Sequence, residues 1–219
     1  IRWLLTPSAL KAELLSQIAK AKKAITIAAL YLEDDEAGRE VLAALMAAKA
    51  ARPELDITVL VDFHRARRGL IGHKGDSGNY LMYQKVVNSA EHPINILGVP
   101  VKSREFMGVL HLKGFIIDDT VIYSGASLNN IYLHQGERYR FDRYHVIESA
   151  ELAFSMREMM MEFIVKDKAV TSLTQDSANE QLPEKNDVRS LKQRLAKAKY
   201  RYHATRSGNR VTPVVGLGR

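Results

Sequence analysis

Cysteine is absent from the chain. That excludes disulfides and thiolate metal sites, and it suits a reducing compartment. Long hydrophobic runs are absent as well. The longest, Ala24 to Leu32, is interrupted by Thr26, whereas a membrane span needs about 20 apolar residues. No pair among the seven histidines stands at metal-ligand spacing, so neither a metal nor any other cofactor is expected. No internal repeat is visible. What is present is ordinary for a globular protein: 46% hydrophobic and 26% charged residues in 219 positions, enough for one domain with an appendage. The charge balance is less ordinary. Lysine and arginine number 32 against 25 acidic residues, a net charge of +7. Such an excess favours an anionic partner, whether nucleic acid, an anionic membrane or a phosphorylated substrate, and does not choose among them. The chain opens on Ile1 and ends after a Gly-rich stretch; it reads as a piece of something longer.

Hydrophobic periodicity organises the chain into alternating elements. Thr6-Pro7 is a helix start, with Leu10, Leu14 and Ile18 following at helical spacing. Ala24 to Leu32 reads as a buried strand, Asp34 or Asp35 as the cap of a second helix carrying Val41, Leu42, Leu45 and Ala48, and Leu55 to Val61 as another buried strand. Strand, helix and strand at this spacing form a βαβ unit with parallel strands. A polar, basic stretch from His64 to Asn79 follows, then a short helix near Tyr80 to Ser89 and a strand at Ile94 to Val99. Val109 to Ile117 and Val121 to Ser124 suggest a hairpin, Arg140 to Ile147 a further strand, and Glu148 to Val165 an amphipathic helix whose methionines face the core. The expected fold is α/β, a mixed parallel and antiparallel sheet flanked by helices, over residues 1–166. Residues 167–219 are expected to be a linker with a basic amphipathic helix, Asp187 to Tyr202, that either lies on anionic lipid or joins two halves of a larger protein.

The chemistry is concentrated in His111-Leu-Lys113-Gly-Phe-Ile-Ile-Asp118, the pattern H-x-K-x4-D. On a strand, residues two apart share a face, so imidazole and ammonium point the same way. Burying either charge unpaired is costly; a phosphodiester satisfies both. Lysine holds phosphate as a point charge. A neutral imidazole nitrogen attacks phosphorus, and the resulting phospho-histidine divides one hard displacement into two easier ones. Gly125-Ala126-Ser127-Leu128-Asn129 follows the hairpin with amides, a hydroxyl and a carboxamide for the phosphate. Asp118 differs. A straight strand carries it about 16 Å from Lys113, at opposite parity to His111 and at a turn, which points to a structural role despite its place in the motif. His64, Arg65 and Arg68 follow the end of a strand, where α/β folds collect ligand contacts; Tyr31 and Glu33 end the preceding strand. These five, with Arg143, are candidate substrate contacts.

His111, Lys113, Asp118, Gly125, Ser127 and Asn129 together resemble the HKD motif of the phospholipase D superfamily. The stretches ALYLE (29–33), LVDFHRARRG (60–69), GVLHLKGFIIDDTVIYSGASLNN (108–130), RFDRYH (140–145) and TPVVGLG (212–218) resemble the N-terminal half of bacterial phosphatidylserine synthases of that superfamily. The resemblance implies a phosphatidyltransferase that converts CDP-diacylglycerol and L-serine to phosphatidylserine and CMP through a phosphatidyl-histidine. It implies a peripheral enzyme at the cytoplasmic face of the cell membrane, acting on an anionic membrane surface. It also implies a second HKD half, from the same chain or a homodimer partner, with one histidine as nucleophile and the other as acid. Asp142, in RFDRYH, takes the position of the acidic residue that orients the histidine. Two departures stand out. Many superfamily members read Gly-Ser-x-Asn, whereas here Ala126 follows Gly125 and Asn129 falls one place late. A cardiolipin synthase, a hydrolytic phospholipase D or a nuclease would use the same phospho-histidine, and a non-catalytic anionic-lipid- or nucleic-acid-binding domain could keep the fold without the reaction.

Overall fold

The computed structural model describes residues 1–68, 78–101, 110–175 and 182–198. The Gly-rich part of the basic stretch with Lys74, Val109, Tyr202 and the C-terminal TPVVGLG lie outside the described residues.

The βαβ unit forms as its periodicity predicts. The Thr6 hydroxyl accepts from Ala9 N–H at 3.1 Å and Pro7 occupies the first turn of α1 (Pro7–Lys20). That helix buries Leu10, Leu14 and Ile18, each contributing about 2 kcal/mol. Strand β2 (Ala24–Ala28) is buried along its whole length. Helix α2 (Glu36–Ala51) starts at Asp35, whose carboxylate accepts from Gly38 N–H at 2.9 Å. Strand β3 (Asp56–Asp62) pairs in parallel with β2 and with β4 (Asn95–Val99). Between β3 and β4 stand a short helix α3 (Phe63–Arg67) and a longer one α4 (Asn79–Asn88). The expected loop from His64 therefore begins as a helical turn, because Asp62 caps it through Arg65 N–H.

The second half of the sheet is antiparallel. Strands β5 (Gly114–Ile117) and β6 (Thr120–Tyr123) form the hairpin, and β7 (Tyr144–Glu148) continues it. Strand β5 lies against β2, with Ala28 opposite Gly114. Two short strands add the edges: β1 (Arg2–Leu4) on β7 and β8 (Thr171–Ser172) on β4. Neither is long enough to show a period of two in the sequence. Among the described residues the sheet order is β1-β7-β6-β5-β2-β3-β4-β8.

Helices cover both faces. One layer packs α1 and α2 on Ile25, Ile27, Ile57, Val59 and Phe115. The other packs α5 (Ala150–Met160), with Leu152, Met156, Met159 and Met160, on Ala28, Leu60, Ile116 and Val121. A π-helical turn, Met161–Val165, ends α5. The mixed α/β architecture is the expected one. Packing continues past residue 166: Leu173 N–H donates to Ile96 O at 2.8 Å, and α6 (Lys185–Lys197) buries Val188 and Leu191. An ion pair from Arg194 to the buried Asp167, at 2.5 Å, fixes α6 to the turn after α5.

Candidate active site

Strand direction alone gathers most of the candidate residues. Parallel β2 and β3 finish at the end of the sheet where antiparallel β5 begins, β6 finishes and β7 begins. Tyr31 and Glu33 follow β2; His64, Arg65 and Arg68 follow β3. His111 and Lys113 precede β5. Ser127 and Asn129 follow β6, while Asp142 and Arg143 precede β7. Asp118 sits at the opposite end, in the β5–β6 turn.

The strand expected from Val109 starts later, at Gly114. Gly114 has φ +152°, a conformation that glycine adopts readily and other residues rarely do. Strand β2 also ends opposite it, at Ala28. Residues 111–113 thus leave the sheet and stand at its mouth. His111 is exposed, while Lys113 is half-buried. Burial pulls the Lys113 ammonium down to about 8, and the carboxylates of Asp62 and Asp142 partly offset that effect. A lysine held this way is poorly hydrated and faces two anions, so a phosphate oxygen arriving at the mouth meets a cation with few competing waters.

Asp142 is placed by two contacts. Its Oδ1 accepts from Arg143 N–H at 2.6 Å. Its Oδ2 lies over Gly125, where a Cβ on residue 125 would overlap it. The Tyr144 hydroxyl straps this loop, accepting from Asp142 N–H at 3.1 Å and donating to Arg140 O at 3.2 Å. Among the described residues no hydrogen bond joins Asp142 to His111; the carboxylate is near enough to Lys113 to favour its ammonium form. Arg143 is exposed.

A second cluster lies beside this one. Leu32 and Leu128 form a parallel bridge, with Leu128 N–H on Tyr31 O at 3.0 Å and Glu33 N–H on Leu128 O at 2.9 Å. The bridge brings Asn129 to Glu33, and the carboxamide donates to Glu33 Oε2 at 2.7 Å. Asn129 Oδ1 accepts from Tyr132 N–H at 3.0 Å. Asn129 and Ser127 are both buried, so the structure gives Asn129 the job of holding Glu33. Burial raises Glu33 above the usual carboxylate range, while Asn129, Arg68 and Arg65 pull it back. Tyr31 is pushed up to about 12 by burial and by Glu33. The arginines of α3 and its C-terminal end therefore share one electrostatic neighbourhood with Tyr31 and Glu33. His64 packs edge-on against Phe63, with ring centroids 5.4 Å apart.

Asp118 makes no part of either cluster. Its carboxylate accepts from Lys22, Lys23 and Ala24 N–H at 2.7, 2.8 and 3.0 Å, closing the turn that leads into β2. Its own φ is +49°. One residue that the sequence reading passed over belongs to the site: Asp62, fully buried, at the end of β3. An acid closing the apolar run Val59-Leu60-Val61 was the available signal.

Comparison with known proteins bears on the fold and the family. The family described as cardiolipin synthase, PLD-like domain, matches residues 14–164. The chain is 45% identical over 219 residues to the CDP-diacylglycerol–serine O-phosphatidyltransferase PssA of Escherichia coli (strain K12), covering 97% of this chain and 48% of that one. It is 40% identical over 199 residues to the CDP-diacylglycerol–serine O-phosphatidyltransferase of Haemophilus influenzae, covering 90% and 44%. The crystal structure of phosphatidylserine synthase from Haemophilus influenzae Rd KW20 superposes with a TM-score of 0.86 at 38% identity, over 93% of this chain and 45% of that one. The chain spans about half the length of the curated relatives it matches.

Proposed function

Since the chain belongs to the phospholipase D-like domain family that includes the cardiolipin synthase domain, we propose that it supplies one half of the active site of a phosphatidyltransferase that makes phosphatidylserine. The observation that carries the proposal is an exposed imidazole, His111, two residues from a desolvated lysine, Lys113, at the mouth of the sheet. A relative 45% identical over nearly the whole chain, named as a CDP-diacylglycerol–serine O-phosphatidyltransferase, supports the choice of substrates.

In the first step a His111 ring nitrogen forms a bond to the phosphorus of the phosphatidyl group of CDP-diacylglycerol. The bond to the CMP oxygen breaks, and the electron pair leaves with CMP, which takes a proton from an acid. In the second step the serine hydroxyl gives its proton to the base that the acid became in the first step, and its oxygen forms the new P–O bond. The P–N bond breaks, and its electron pair returns to His111. Lys113 neutralises charge on the non-bridging oxygens in both steps. Asp142, seated over Gly125, stabilises the Lys113 ammonium. Tyr31, Glu33, Arg65 and Arg68 bind the polar part of a substrate, with Asn129 holding Glu33. A second HKD half, from the same protein or from a partner copy, provides the acid.

No described helix is long and apolar enough to cross a membrane. The net charge of +7 supports peripheral attachment to an anionic membrane at the cytoplasmic face, where the lipid substrate resides.

The test is product analysis on the full-length protein with CDP-diacylglycerol in mixed micelles, with and without serine. Serine-dependent phosphatidylserine and CMP are expected. CMP with phosphatidic acid regardless of serine would move the function to a hydrolase, a glycerol-bearing product to a cardiolipin synthase-type reaction. No CMP from folded protein would overturn the phosphatidyltransferase reading in favour of a nuclease or a binding domain.

A further inference from the structure

Asp62 carries no role in the mechanism above, yet it is a carboxylate with no exposed surface at the active-site end of the sheet. Burying it without partners would be costly. The partners it has are specific. Oδ1 accepts from Arg65 N–H at 3.0 Å, capping α3. Oδ2 accepts from Leu110 N–H at 2.7 Å. Leu110 is itself buried and directly precedes His111. One side chain thus joins the arginine-bearing helix to the segment that carries the imidazole and the ammonium, across 48 residues of sequence.

From this we infer that Asp62 is a positioning residue for the reaction proposed above: it fixes the His111–Lys113 segment relative to α3 and places an anion beside Lys113. The first part follows from geometry. Residues 111–113 have no strand partner, because β2 ends opposite Gly114, so their backbone needs another anchor, and the Leu110 bond provides it. The second part follows from charge. Asp62 from the end of β3 and Asp142 from the loop before β7 are the anions that act on Lys113. His64 on α3 faces Asp62, and His111 lies two residues from Lys113 on its own segment.

A helix cap would explain the Arg65 bond alone, so the test separates the two bonds. Asparagine and serine are as good as aspartate at the N-terminus of a helix. Asp62→Asn and Asp62→Ser therefore keep the α3 cap but remove the anionic acceptor for Leu110 N–H. In the full-length protein, CMP release from CDP-diacylglycerol is expected to fall about 100-fold in kcat, the size of effect that misplacement by about 1 Å produces. KM should change far less. The alkaline limb of kcat/KM should move to lower pH, because Lys113 loses an anionic neighbour. Wild-type kcat with an unmoved limb in either folded variant would reduce Asp62 to a cap. Amide exchange at Leu110 in the wild-type protein tests the bond without substitution: strong protection is expected, and exchange at the rate of an open loop would overturn the inference. The exchange arm reads out even if CMP release is absent from the wild-type protein, which would instead overturn the transferase proposal.

Discussion

Asp118 gives the motif its third letter, and the structure predicts that replacing it damages the fold rather than the chemistry. The carboxylate satisfies three backbone amides on residues 22, 23 and 24, and it does so from a residue at φ +49°. In Asp118→Ala, stranding the part-buried Ala24 N–H costs about 1.5 kcal/mol, and the two exposed amides about 0.5 kcal/mol each because water replaces the carboxylate. Alanine in the left-handed region adds about 1 kcal/mol. The expected loss is about 3 to 4 kcal/mol, or a fall in Tm of roughly 10 °C for a chain of this size. Asp118→Asn tolerates the same φ and keeps an acceptor for Lys23 and Ala24, so it should lose only about 1 kcal/mol. Burial alone would raise the Asp118 carboxylate, but the amides and Arg157 outweigh it and hold it below its usual range. A depressed carboxylate stabilises the fold above its unfolded value, near pH 4, and that contribution is lost as pH falls through the lower folded value. The gap in Tm between wild type and Asp118→Asn should therefore persist at neutral pH and close in strong acid. The assays are thermal unfolding against pH and single-turnover CMP release at 25 °C, where the folded fraction should keep a rate within about threefold of wild type. A variant with wild-type Tm and a rate reduced a hundredfold would refute the structural assignment.

His111→Ala should abolish CMP release while leaving Tm within about 1 °C, because the ring is exposed and leaves no cavity. In the wild type, kcat/KM should decline as pH rises through about 8, where Lys113 loses its proton; Lys113→Arg should erase that limb, since a guanidinium stays charged, whatever its rate. Gly125→Ala should push the Asp142 carboxylate away from Lys113, lowering kcat by about tenfold or more with little change in unfolding, because the displaced atom is the end of a side chain. Arg194→Ala leaves the buried Asp167 without its guanidinium; faster amide exchange along α6 and a loss of about 2 kcal/mol are expected.

Both clusters derive their order from the same device. The sheet changes from parallel to antiparallel pairing between β2 and β5. Ends of five strands therefore meet at one mouth, and loops near residues 31, 64, 111, 129 and 142 need only short connections to converge. Gly125 and Gly114 then set local detail: the first makes room for a carboxylate, the second turns the chain out of the sheet.

The α/β class, the βαβ unit, the helix cap at Thr6 and a second at Asp34 or Asp35 were legible from the residues, because periodicity and capping chemistry are local properties; the common strand face expected for His111 and Lys113 was not, since both precede β5, which starts at Gly114. Also legible was the distance of Asp118 from His111 and Lys113, since five residues of strand cannot fold back on themselves. The two edge strands were not legible, being too short to show a period. Nor was the start of β5 at Gly114, which depends on where β2 ends. The contact of Asn129 with Glu33, the seat of Asp142 over Gly125 beside Lys113, and the reach of Asp62 to Leu110 N–H join residues far apart in sequence, and only the packed sheet decides which of them meet. A chain read residue by residue shows which groups are costly to bury; the tertiary structure alone decides which partners make that burial tolerable.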